Sequence, residues 1–323
     1  MATILSFGRY LPDRVLDNAD LAQKLGCDAA WIFESSGIEQ RCIAGEGETI
    51  AVLAECASRH CLERARVDAA QIGLVILSSG TAERRFPGPA AELAHRLGLA
   101  GVPALDIPVA SAGSLFGMAL AAQLAPAYGT VLVAAAEKMS GPASSEPLDR
   151  NVAILFGDGA GACLIGNAGE GLAIVDAVLH SDGAYTENLR LEHTGPVRMD
   201  GRTVILQAAR RIPAAIGEVL ARQSVDASAV GAFLLHQANR NLTEQVAKAL
   251  GVPASRFFSN IQRYGNTSSA SLLIAASEWW EQTAPARSAA PITTAASAAG
   301  DLVCFAAFGA GFHWGALLAR KMT

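Results

Sequence analysis

One arrangement of segments occurs twice in this chain, and it limits the fold more than any single motif does. The apolar run IGLVILSSG at 72–80 precedes a helix-patterned segment ending AELAHRLGL at 91–99, and VGAFLLHQA at 230–238 precedes one ending VAKALGV at 246–252. The next elements correspond as well. Residues 104–110 lead into Ser111 and a helix, while 257–262 lead through GNTSSAS at 265–271 into another. GTVLVAAAE at 129–137 is answered by GDLVCFAAF at 300–308. A doubled strand–helix–strand–helix–strand series predicts an α/β protein of two similar halves. Unbroken apolar runs such as 74–77 suit strands covered on both faces, as crossover connections require. The turn-rich GNAGEG at 166–171 divides the halves, giving 1–168, which carries Ser111, and 169–323, which carries His236 and Asn266. The compositionally simple stretch between Thr283 and Gly300 reads as a surface connection without chemistry.

Composition agrees with stacked, well-covered layers: 51% of the 323 residues are apolar and 17% charged. A net charge of −5 argues against a nucleic-acid partner. The six cysteines (Cys27, Cys42, Cys56, Cys61, Cys163 and Cys304) form no CxxC pair and no metal-ligand spacing. They read as reduced, buried small hydrophobes, and with no signal peptide in view a cytoplasmic protein is expected. Residues 107–136 carry no charge, nor do 302–319 apart from His313. Pro126, Tyr128 and Gly129 interrupt the first and Gly309 and Gly311 the second, so both read as elements buried within the protein, with no membrane partner.

DIPVASAGSLFG at 106–117 reads as a strand that breaks at Ser111 and restarts as a helix. Such a corner exposes a backbone N–H at a helix N-terminus, a ready donor to an oxyanion. Taken alone, a serine there is a helix cap. A serine hydroxyl needs a base to act as a nucleophile, and His236, closing an apolar strand in LLHQAN, is the best-placed one. A satisfied core histidine is its ordinary alternative. His60, His95, His180, His193 and His313 lack a comparable setting. FGDGAGA at 156–162 has neither GxGxxG spacing nor a following GK[ST], so its glycines serve close backbone packing in preference to phosphate binding. FGAGFHWG at 308–315 is a glycine-bearing turn that either completes an oxyanion site or only permits a tight bend.

Taken together, VASAGS, FGDGAGA, HQAN, GNTSSAS and FGAGFHWG resemble, in order and spacing, the ketoacyl-acyl-carrier-protein synthase III family. GRYLPDRVLDNADL at 8–21 and WIFESSGI at 31–38 resemble it too. The resemblance implies a thiolase-type fold of five αβαβα layers and a homodimer. It also implies an acyltransferase of fatty acid or polyketide assembly: acyl transfer from acyl-CoA to the enzyme, then decarboxylative Claisen condensation with malonyl carried on an acyl carrier protein. No permanently bound cofactor and no metal are implied; acyl-CoA is a substrate. By motif position Ser111, His236 and Asn266 are catalytic, and the N–H groups of Ser111 and Ala310 form the oxyanion hole. Trp31 and Arg150 flank the CoA adenine, Gly201 and Asn239 line the pantetheine, and Phe86 and Phe308 belong to the acyl pocket. Ser35 stands where the family has an arginine. Arg210, Arg211, Arg240 and Lys248 are expected to dock the carrier.

Ser111 occupies the position at which that family has a nucleophilic cysteine. Three readings stay open: a natively serine-based condensing enzyme, a Cys-to-Ser variant of one, or a non-condensing acyltransferase that passes its acyl group to another acceptor. A non-catalytic partner-binding subunit is the reading of a different class. In ERRFPGPA at 83–90, Arg84 and Arg85 precede Phe86 and read either as solvated loop charges or as a clamp for a carboxylate on the acyl chain.

Overall fold

The computed structural model describes residues 1–283 and 301–322. The low-complexity stretch after Thr283 lies outside the described residues. Ten strands form one mixed sheet: β1 (Thr3–Tyr10), β2 (Ile72–Ser78), β3 (Ala104–Ile107), β4 (Thr130–Lys138), β5 (Asp158–Gly166), β6 (Leu172–Ser181), β7 (Val230–Leu235), β8 (Phe257–Phe258), β9 (Leu302–Gly309) and β10 (His313–Lys321). Their order across the sheet is β8-β7-β9-β10-β6-β1-β5-β4-β2-β3. Read outward from the centre, β1-β5-β4-β2-β3 is matched by β6-β10-β9-β7-β8, so every strand of one series has its counterpart five places later. Pairing directions repeat as well. The pairs β3–β2 and β2–β4 are parallel and β4–β5 and β5–β1 antiparallel, and β8–β7–β9–β10–β6 runs the same sequence. The two series meet along β1 and β6 through Thr3 opposite Ala173 and Ile4 opposite Leu172.

The principal helices are α1 (Asn18–Leu25), α2 (Ala29–Ser36), α3 (Ile50–Ala65), α4 (Pro89–Arg96), α5 (Gly113–Tyr128), α6 (Gly201–Arg222), α7 (Arg240–Leu250) and α8 (Ser271–Thr283). Helices α3 and α4 cover the outer face of the first strand series, and α6 with α7 covers that of the second. Between the two series lie α5 and α8, each touching strands of both. This is the five-layer thiolase-type stack. It also bears on the uncharged stretch 107–136: the first turns of α5 are buried in the central layer, while its exposed positions, Leu120, Gln123 and Tyr128 among them, carry uncharged side chains. Among the described residues, no helix is long and apolar enough to cross a membrane.

Side chains alternate between the layers. Val131 and Val133 of β4 join the central core, whereas Leu132 and Ala134 join the outer one under α3. Val303, Phe305 and Ala307 of β9 face the central core, and Cys304, Ala306 and Phe308 face α6. The period-two pleat assigns neighbours to opposite faces, so a strand covered on both sides is apolar throughout.

The glycines of FGDGAGA pack β5 against neighbouring backbone. A Cβ on Gly161 would lie 2.5 Å from the Leu273 Cβ and 3.0 Å from the Ile274 nitrogen of α8. Gly161→Ala therefore forces strand and helix apart and costs about 1–3 kcal/mol, read from the denaturant midpoint. Gly217→Ala, on the exposed side of α6 with open space around it, is expected to leave stability unchanged or raised.

Candidate active site

The starts of the two central helices are equivalent positions in the two halves, and the fold brings them face to face. Ser111 precedes α5 with φ of +62°, and Ser268 precedes α8 with φ of +46°. Both are L-residues in the left-handed region, which costs of order 1–3 kcal/mol and persists only where surrounding contacts enforce it. The other two such residues among those described, Arg66 and Ser224, lie just beyond the C-termini of α3 and α6. The Ser111 N–H donates to the Ser268 Oγ at 3.0 Å, and the two hydroxyl oxygens are 3.5 Å apart. Gly309 presses on this corner: a Cβ there would sit 2.0 Å from the Ala110 carbonyl oxygen and 2.9 Å from the Ser111 Cβ.

The turn containing Ser268 reaches the other two residues singled out in the sequence. The Ser268 N–H donates to the Asn266 Oδ1 at 2.9 Å, leaving the Nδ2 of that amide as its donor end. The Asn266 backbone is tied to the FGDG segment, donating to the Leu155 carbonyl at 2.9 Å and accepting from the Gly157 N–H at 3.1 Å. His236 follows β7 directly, its N–H on the Ala306 carbonyl at 2.9 Å. Its Nδ1 pairs with the Ser271 Oγ at 2.5 Å, and that hydroxyl oxygen also accepts the Gln237 N–H at 3.0 Å. Burial lowers the His236 imidazole to about 4, partly offset by a backbone hydrogen bond to Ser268. The ring is therefore neutral at physiological pH, a form able to accept a proton. Ser111, His236 and Asn266 are all buried and all bonded to one turn, 266–271.

A buried carboxylate fixes that turn. Glu137, at the inner end of β4, is fully shielded from solvent. It accepts the Ser269 hydroxyl at 2.7 Å, the Thr81 hydroxyl at 2.7 Å and the Gly80 N–H at 3.0 Å. Burial raises its pKa, while the Ser269, Thr81 and Ser268 hydroxyls and the Gly80 N–H favour the charged form. Buried carboxylates are tolerated only with such a full set of donors.

A cavity of about 1,210 Å³ opens beside the corner, lined by Ala110, which precedes Ser111, by Ala310 and by Ser79, Gly80 and Thr81; Ser111, His236 and Asn266 are not themselves in its lining. Arg84 and Arg85 line it too, and Phe86 is 85% exposed on the same loop. Two of the expected residues have other engagements in this structure. The Ser111 N–H is already donated to Ser268, so it is not an open oxyanion donor in this structure. Phe308 does not line the cavity: it is buried against Phe312, 4.7 Å between ring centroids, on the α6 side of β9. Ala310, at the β9–β10 hairpin, does line it.

The remaining expected residues lie apart from this centre. Trp31 packs on a small cluster with Leu21, Ile32 and Ile154, four residues beyond exposed Arg150. Gly201 opens α6. Asn239 caps α7, its Oδ1 accepting the Asn241 N–H at 2.8 Å and its Nδ2 donating to the Ser35 carbonyl at 2.9 Å, so both ends of that amide are engaged. Arg211 bridges Asp182 at 2.8 Å and stacks 4.1 Å over Trp314. Arg240 lies 4.9 Å over Phe33 and 3.8 Å from Glu244, and Arg210 and Lys248 are exposed. Ser268, Ser271 and Glu137 escaped the sequence reading, although GNTSSAS contains the first two; three serines within the five residues after Asn266 were the available signal.

Among the described residues, no group of histidine, cysteine and carboxylate side chains is arranged to hold a metal ion, and all six cysteines are free. The family model described as 3-oxoacyl-[acyl-carrier-protein (ACP)] synthase III matches residues 105–183, and its C-terminal counterpart matches 220–321. The chain is 35% identical to a beta-ketoacyl-[acyl-carrier-protein] synthase III from Oleidesulfovibrio alaskensis, covering 98% of each. It is similar to the crystal structure of 3-oxoacyl-[acyl-carrier-protein] synthase III from Aquifex aeolicus, with a TM-score of 0.90 and 34% identity over 99% of this chain and 100% of that one. The priming beta-ketosynthase of the R1128 polyketide pathway is similar too, with a TM-score of 0.84 and 30% identity over 99% of this chain and 96% of that one.

Because His236 is neutral down to about pH 4, reaction of Ser111 with an activated ester such as p-nitrophenyl acetate keeps its neutral-pH rate to roughly pH 5 and is half lost near pH 4. Adduct formation followed by intact mass checks this. A midpoint near 6.5, the ordinary imidazole value, contradicts the buried neutral ring.

Proposed function

The chain belongs to the 3-oxoacyl-[acyl-carrier-protein] synthase III family, and on that premise we propose that it is an acyl-CoA-primed condensing enzyme that uses Ser111 as the acyl acceptor. The observation that carries this is the single turn, 266–271, that is bonded to Ser111, His236 and Asn266 together. A simple acyl transfer needs a nucleophile and a base; Asn266, held with its amide donor end free for a second carbonyl, suits stabilisation of an enolate.

In the first step the Ser111 Oγ attacks the thioester carbonyl of acyl-CoA while its proton passes to His236. The C–S bond then breaks, and CoA leaves as its thiol with that proton. The oxyanion takes the Ala310 N–H, and takes the Ser111 N–H by displacing the Ser268 hydroxyl from it. In the second step a malonyl thioester on the carrier loses CO2. Its enolate oxygen is held by His236 and the Asn266 amide, and its carbon attacks the acyl-serine ester; the C–O bond to Ser111 breaks, and the serine oxygen leaves as an alkoxide that takes a proton from solvent to restore the hydroxyl. The neutral state of His236 matters in the first step, since a protonated ring takes no proton from Ser111.

We assign the CoA adenine to Trp31 and Arg150, with Gly201 and the Asn239 backbone along the pantetheine. Carrier docking falls to Arg210, Arg240 and Lys248. A homodimer through the outer edge of β3 is supported by the open backbone of that strand, by Leu105 at 49% exposure and by Phe86. Phe86 then has a partner cavity to close.

Serine makes the acyl-enzyme an oxygen ester, a weaker acyl donor than a thioester, and this favours slow condensation; a non-condensing acyltransferase is the second reading. Ser111→Cys is expected to raise condensation with malonyl-carrier more than it raises acylation, because the thioester is the better electrophile. Ser111→Ala is expected to remove the acyl adduct and lower turnover by at least ~10³-fold. Product assays with an acyl-CoA and malonyl-carrier decide the matter. Acyl-enzyme without condensation product in both wild type and Ser111→Cys overturns the condensing assignment in favour of acyl transfer.

A further inference from the structure

His313 was set aside in the sequence, yet it stands in the wall of the cavity beside Ser111. It opens β10, opposite Gly309 across the hairpin that carries Ala310. Its parity along β10 is that of Leu317 and Ala319, which face the central core, and opposite to that of Ala316 and Leu318, which face α6. The ring therefore points inward, toward α5, where Phe116 meets it edge-on at 5.6 Å. Phe116 is five residues beyond Ser111, about 7–8 Å along the helix axis.

The ring is also fixed. Its Nδ1 pairs with the Ser181 Oγ at 2.7 Å. Its Nε2 and Cδ2 edge lies across Gly311, where a Cβ would come within 2.4 and 2.3 Å of those atoms. Among the described residues Nε2 has no hydrogen-bond partner, and partial burial holds the pKa below its ordinary value, so the ring is neutral at physiological pH. A neutral imidazole with Nδ1 occupied has a single polar atom left to offer, and here it lies in a cavity wall that also carries Ser79, Thr81, Arg84, Arg85 and His193. A purely hydrocarbon chain lying against this wall leaves the His313 Nε2 without a partner.

We propose that His313 is a specificity-determining residue, positioned by Ser181, that selects acyl donors bearing an oxygen substituent along the chain (a hydroxyl, keto or carboxyl group) over unsubstituted alkyl donors of the same length. The inference rests on the reading of Ser111 as acyl acceptor and adds the class of acyl group to it.

The test compares hexanoyl-CoA with 5-hydroxyhexanoyl-CoA as acylating substrates for the full-length wild type, His313→Phe and His313→Asn, with acyl-enzyme formation read by intact mass. The wild type is expected to favour the hydroxylated donor in kcat/KM by about tenfold, the range of one buried hydrogen bond. His313→Phe abolishes that preference, and His313→Asn, which keeps a hydrogen-bonding side chain, retains part of it. Glutaryl-CoA in the same panel separates hydrogen bonding from charge: a preference for it that survives His313→Phe assigns selection to Arg84 and Arg85 and overturns the role of His313. Acylation with the same donor ratio in all three proteins overturns this inference alone. No acylation of the wild type by any donor overturns the reading of Ser111 and this inference with it.

Discussion

The hydrogen bond from the Ser111 N–H to the Ser268 Oγ joins the two halves of the fold at the point where both central helices begin. Each serine is forced into the left-handed region, and each is held there by the other half. Gly309 of the second series presses on the Ser111 corner, while Glu137 of the first anchors the Ser268 turn through Ser269. Each strained residue thus takes part of its support from the opposite half, and the fold sets the two helix starts facing one another along one seam.

The seam is polar and dry. A carboxylate, an imidazole, an asparagine amide and several serine hydroxyls share it with almost no access to water. Low dielectric strengthens each hydrogen bond and makes each unpaired group costly, so the cluster specifies one arrangement closely. The same burial keeps His236 neutral, which its proposed role as proton acceptor requires. The apolar layers on either side supply most of the folding free energy through burial; the polar seam determines which residues meet.

The sequence made the layers legible because strands covered on both faces leave an unmistakable signature, an apolar run with no alternation, repeated in a fixed order. Ser111, His236 and Asn266 were legible because they end strands or open helices at equivalent places in that repeat. The side of β9 on which Phe308 lies could not be read without parity. The pleat sends it to the α6 side with Cys304 and Ala306, a fact contained in the register of β9 and not in the motif around it. His313 was missed for the same reason in reverse, since counting by twos from Leu317 brings it inward. Arg211 was read as a docking charge because its partners, Asp182 and Trp314, are distant in sequence and adjacent only once α6 lies on β10. Glu137 gave no local sign. It sits at the end of an apolar run, and its donors come from the segment after β2 and from the start of α8.

Ser111 offers a hydroxyl at the position where the proposed function places the first covalent bond. The groups proposed to act around it, the neutral His236, the Ala310 N–H and the positive end of α5, bear on a serine as directly as on a thiol. The six cysteines are remote from this role; Cys61, Cys163 and Cys304 are fully buried, with thiols pushed up by burial. The most direct measurement is therefore peptide-level mass spectrometry of the protein after incubation with an acyl-CoA. The account predicts one acyl group, on the oxygen of Ser111. An acyl group on any cysteine, or none on the peptide that contains Ser111, contradicts it.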